Sequence, residues 1–141
     1  MAVFNKFNQF VEDVAEKVHN LGADTLKVML TNTAPVAANA IKTDIVEIAV
    51  GFGYVAGGTQ ATISASIQTG GTYKLTLADV IFTATGGSIG PFRYAVLFND
   101  TPTAPLDPLI GWFDYGSSIT LLTGETLTVD FDATNGVLTI V

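Results

Sequence analysis

The sequence predicts a mainly β protein, an antiparallel β-sandwich or jelly roll of about eight strands preceded by one N-terminal amphipathic α-helix. Three observations carry this. The last fifty residues, Phe92 to Val141, hold four apolar runs, Phe92–Phe98, Leu109–Tyr115, Glu125–Phe131 and Val137–Val141, parted by Asp-Thr-Pro, Gly-Ser-Ser and Thr-Asn-Gly turn signals. Further strand-like runs stand upstream at short spacing. They follow one another directly, without the intervening helices of a βαβ fold.

The N-terminal helix is read from Phe4, Phe7, Phe10, Val11, Val14, Val18 and Leu21, which recur at three- and four-residue steps with Lys6, Glu12, Asp13, Glu16 and Lys17 mostly opposite. Gly22 can take the left-handed conformation after a last turn, so the helix is expected over residues 1–22. Its Phe-rich stripe should lie on a sheet or on a neighbouring subunit. Leu26, Val28 and Leu30 alternate within Thr25–Thr31, which predicts a strand. Residues 32–40 are small and loop-like. Ile41 to Val50 fits both periods, and a helical turn is expected at Asp44 to Ile48. Gly51 to Gly58 reads as a close-approach segment. Strands follow at Thr62–Gln68, Thr72–Leu77 and Ala78–Thr85, the first two joined by a tight Gly70-Gly71 turn. Gly86 to Pro91 is read as a loop before the four terminal strands. The whole, 1–141, is one domain, with a helix at 1–22 and a sandwich at 24–141.

Only 13% of the residues are charged, about half the usual share, while 48% are hydrophobic. Such a surface suits burial against a partner. Thirteen acids against six bases give a net charge of −7. The bases are scattered rather than clustered, which argues against direct nucleic-acid binding. Without cysteine there are no disulfides or thiolate metal sites. No run reaches the ~20 apolar residues of a membrane span, and the N-terminus lacks the pattern of a signal peptide, so a protein that is neither membrane-bound nor exported by that route is expected.

Each candidate for chemistry has a simpler reading. Gly86-Gly87-Ser88-Ile89-Gly90 matches a nucleophile elbow in letters, but Pro91 and a strand follow where a helix is needed, and no histidine lies downstream. His19, the one histidine, reads as a helix-terminal capping or surface residue. Gly51, Gly53, Gly57 and Gly58 lack phosphate-loop spacing, and serve a turn or a contact loop that another backbone approaches closely. Asp130 and Asp132 share a strand face opposite Leu127, Val129 and Phe131, which makes them solvated rather than a calcium or glycosidase pair. Trp112, Phe113, Tyr115, Tyr94 and Phe92 read as packing residues before a sugar platform, since both faces of their strand look covered. No cofactor is implied and no catalytic group is assigned.

Four blocks carry a resemblance: Asp24 to Thr31, Gly53 to Gly58, Arg93 to Asp100 and Pro108 to Gly116. In order and spacing they are similar to a family of small virion proteins of tailed bacteriophages and prophages. The resemblance implies a capsid decoration, or cement, protein with a jelly-roll-like sandwich and no catalytic residues. The implied partners are the major capsid protein and further copies of the chain, as a dimer or trimer. The implied location is the outer surface of the phage head, after synthesis in the host cytoplasm. Candidate contact residues are Phe4, Phe7 and Phe10 of the helix and Gly53, Tyr54, Gly57 and Gly58 of the glycine loop. The alternative is a tail- or fibre-associated module that recognises a host glycan.

Overall fold

The computed structural model describes residues 2–141 and is mainly β, with antiparallel sheets in a sandwich-like arrangement. In chain order the elements are β1 (Phe4–Lys6), α1 (Gln9–Ala15), β2 (Leu26–Thr31), a 3-10 turn (Lys42–Asp44), β3 (Thr59–Ala61), β4 (Ile63–Thr69) and β5 (Thr72–Leu77). They continue with β6 (Val80–Thr83), β7 (Ile89–Asn99), β8 (Leu109–Leu121), β9 (Thr126–Val129) and β10 (Leu138–Ile140). The strands form a five-stranded sheet ordered β1-β8-β7-β2-β3, a three-stranded sheet β10-β5-β4 and a ribbon β6-β9.

The central sheet is covered on both faces. Val28, Leu30, Ala95, Leu97 and Phe113 enter the main core with Leu75 and Leu77 of β5, Phe82 of β6 and Val129 of β9. Met29, Val96, Phe98 and Leu109 face the other way, where Phe7, Ile45 and half-buried Trp112 close a second cluster. This explains the near-continuous apolar run of β7, because strict alternation with polar residues serves only a strand with one wet face. Simple alternation in β8 would pair Ile110 with Trp112. The register instead steps from Leu97↔Gly111 to Phe98↔Leu109, so Ile110 is the extra residue of a β-bulge and turns into the main core with Phe113.

The long N-terminal helix is corrected to seven residues. Phe4 lies in β1, paired with Phe113, and its ring fills the space above Gly111, where any Cβ would collide with it. The aromatic recurrence is thus divided between two cores, Phe7 in the second and Phe10 in the main one. The helix stops well before Gly22. Lys17 adopts φ 68°, its N–H bonds the Val14 carbonyl, and the Val18 N–H bonds the Asp13 carbonyl at 2.8 Å, a Schellman closure built without glycine.

Three smaller corrections follow from local bonding. The turn expected at Asp44 to Ile48 forms earlier, because the Asp44 carboxylate accepts from the Ala40 N–H (2.8 Å) and the Ile41 N–H (3.1 Å), which frees Ile45 for the second core. Gly116-Ser117-Ser118 does not end β8. It lies in a wide bulge opposite Arg93, and Asp114 braces it by accepting two bonds from the Arg93 guanidinium (2.7 and 3.0 Å) and one from the Gly116 N–H (2.8 Å). Ile89 to Pro91, read as loop, open β7.

Candidate contact loop and the groups around it

Residues 50–58 link the second core to β3, and their glycines hold the segment against the fold. Gly51 and Tyr54 exchange backbone bonds (2.8 and 3.0 Å), which closes a two-residue hairpin with Phe52 and Gly53 at its tip. Both tip residues have positive φ, 56° and 102°, as a type I′ turn demands. Gly53 meets that demand freely and lies so close to the Thr83 carbonyl that a Cβ would collide with it. Phe52 has no such freedom. A bulky residue in the left-handed region costs about 1–2 kcal/mol, and such strain persists where its surroundings impose it.

Here the surroundings are identifiable. The Phe52 carbonyl accepts from the Thr85 N–H (2.9 Å), and its ring packs closely against Gly87, where any Cβ would collide with Cδ1, Cε1 and Cγ. The ring is nevertheless 54% exposed, with Val50 and Val55 on either side 60% and 61% exposed. The hairpin therefore presents a pre-set apolar knob. Behind it, the buried Tyr54 hydroxyl accepts from the Leu30 N–H (3.1 Å) and donates to Glu47 Oε1 (2.7 Å), and the Gly57 N–H donates to the same oxygen. Burial, then the Glu47 bond, pushes the Tyr54 hydroxyl far above its ordinary range, so it stays protonated and keeps donating.

The candidates named from sequence thus take different positions. Phe7 and Phe10 are buried within their own chain, and Phe4 is packed on Phe113 with ring centroids 5.2 Å apart. Tyr54, Gly57 and Gly58 are buried, and only Gly53 of the loop set stands exposed. These burials take most of the candidates off the surface. Val50, Phe52 and Val55, which the sequence reading passed over, provide the outward face. The signal was there, since glycine on both sides of Phe52 marks a tip.

The other candidates are not brought together. Ser88 and His19 lie near opposite ends of β7, on the order of 30 Å apart at ~3.3 Å per strand residue. Asp132 is engaged by its own turn, accepting from the Thr134 and Asn135 N–H groups (2.8 Å each), and those bonds hold its carboxyl below the usual range. Asp130 is exposed, and its charge adds to the burial that pushes the Tyr115 hydroxyl up to about 12. Phe92, Tyr94 and Phe113 are buried, and Trp112 packs on Phe7 at 4.6 Å. Among the described residues no three His, Asp or Glu side chains converge to hold a metal ion. Among them, too, no helix is long and apolar enough to cross a membrane.

His19 is not on the surface. It is buried, packed on Phe10 with the two rings tilted by 48°, and fixed at Nδ1 by the Asn99 amide (3.1 Å). Asn99 donates its other N–H to Asp24 (2.7 Å) and accepts from the Thr101 N–H (3.1 Å), which sets its orientation. Nδ1 is therefore the acceptor and the proton sits on Nε2. Burial holds the imidazole below its ordinary 6.5, against the opposing charges of Asp13 and Asp24. The unfolded chain then takes up the proton first. Stability is complete above about pH 6.5 and falls below it, by at most about 1.4 kcal/mol per pH unit down to the folded value. Thermal melts at pH 7.5 and 5.0 check this: the wild type is expected to lose more on acidification than His19→Gln.

No protein-family model, curated protein or solved structure matches the chain.

Proposed function

We propose that the chain is a structural, non-enzymatic virion protein of a tailed bacteriophage. In this reading it is a jelly-roll-like decoration, or cement, protein that binds the major capsid protein on the outside of the head and stabilises the shell. The observation that carries the reading is the Phe52 hairpin, an apolar knob kept strained and exposed by Gly87 and Thr85. Pre-organisation of that kind lowers the entropy lost on docking. A low-charge contact repeated by symmetry over a shell then accumulates avidity from weak single contacts.

The resemblance blocks support the same reading through their placement. Asp24–Thr31, Arg93–Asp100 and Pro108–Gly116 supply β2, most of β7 and the first part of β8, three adjacent strands of the central sheet, and the fourth block, Gly53–Gly58, is the later part of the contact loop. The shared residues are thus the scaffold and the glycine segment that follows Phe52 and anchors its hairpin to β2 and β6. Quantifying the chain against the major capsid protein in purified particles tests the proposal. Copies in the hundreds are expected; a handful per particle would move it to the tail or fibre.

A further inference from the structure

We propose that β4 is a self-pairing edge, through which two copies of the chain join about a two-fold axis into one continuous antiparallel sheet. The proposal goes beyond the virion reading and does not depend on it. At seven residues β4 is the longest edge strand, whereas β1, β3 and β10 have three and the strands of the β6-β9 ribbon have four. Long edges are normally guarded by charge or proline, because their unpaired backbone groups attract other strands. From Ile63 to Thr72 there is neither.

The register fixes which groups are free. Gly70 and Gly71, at φ 60° and 87°, form a two-residue turn closed by the pair Thr69↔Thr72. Hydrogen bonding to β5 then alternates back along the strand, through Thr69 and Ile67. The N–H and C=O groups of Ser66 and Gln68 point away from β5, towards the open edge. Both residues flank Ile67, which is 58% exposed on the outer face.

A second copy satisfies this pattern in one register. Ser66 of each copy pairs with Gln68 of the other, and Ile67 stands opposite its own counterpart in a non-hydrogen-bonded position, where side chains come closest. Two exposed isoleucines are thereby covered by one operation. The self-complementary register favours a copy of this chain as the occupant, and the absence of charge on the edge permits it. At a net charge of −7, two molecules repel, and a two-fold axis sets any charge on the edge near its like. The uncharged β4 edge avoids that repulsion.

Sedimentation velocity on the purified full chain, up to about 100 µM, tests the proposal, since a dimer with a Kd in the micromolar range is populated at that concentration. The wild type is expected to dimerise and Ile67→Lys to remain monomeric, with circular dichroism and melting temperature unchanged. The chain has no cysteine, so Ile67→Cys should form a disulfide-linked dimer under mild oxidation, while Ile81→Cys, equally exposed at 58% on β6, should not. A monomeric wild type across that range, a dimeric Ile67→Lys, or equal cross-linking of the two cysteine variants would each overturn it.

Discussion

Gly58→Ala is expected to cost about 4 kcal/mol or more and to leave little folded protein, an effect at the far end of the range for single substitutions. Two costs add. Gly58 sits at φ 74°, and a Cβ there would collide with the Val28 carbonyl oxygen while standing 2.6 Å from its carbon and 2.8 Å from Met29 Cα. Those atoms belong to β2, which is paired on one side with β3 and on the other with β7, so they cannot give way without breaking two ladders. Gly57→Ala is the control. Its φ is 82°, but a Cβ there meets only the Lys42 ammonium at 3.4 Å and the Phe98 ring at 3.9 Å. It should lose just the left-handed penalty of about 1–2 kcal/mol. Denaturant titrations of the two variants beside the wild type separate close approach from backbone strain; equal losses would remove the steric account.

Phe98→Ala is expected to destabilise by about 3–5 kcal/mol, the range for emptying a fully buried aromatic site. Phe98 has no exposed surface and lies at the centre of the second cluster, with Phe7, Met29, Ile45 and Leu109 around it and the Lys42 ammonium 5.4 Å from its ring centroid. If that face of the central sheet were only loosely covered, the cavity would collapse or fill with water and the loss would be small. Urea unfolding midpoints, converted with a common slope, give the comparison.

The central strands were legible because their burial is written in local composition. β2 alternates over Leu26, Val28 and Leu30, and the apolar run of β7 says that both of its faces are covered. What could not be read was decided by distant partners. Phe4 to Leu21 fit a helical period, yet Phe4 was claimed by β8 because Gly111 leaves room for its ring. Polar Thr59-Gln60-Ala61 carries no strand signal and forms β3 only because the edge of β2 is open to it. Gly116-Ser117-Ser118 has turn composition and still continues β8, held by the Arg93–Asp114 pair. His19 looked like a surface cap because nothing nearby in sequence announces Asn99.

The contact loop was half legible for the same kind of reason. Its glycines marked a close approach, and the approach is real, but it is made to the chain's own Val28 and Thr83 carbonyls. The exposed side chains are those beside the glycines, Val50, Phe52 and Val55. Binding residues concentrate on loops positioned by a rigid scaffold, whereas the strands beneath serve packing.

In the proposed role the chain covers a phage head and meets it through the Phe52 hairpin. A cryo-electron microscopy reconstruction of the particle that carries the chain tests it most directly. The account predicts density for this fold at repeated positions on the outer shell, with Val50, Phe52 and Val55 against the major capsid protein. Density confined to the tail, or a head-bound fold whose Phe52 hairpin faces solvent, would contradict it.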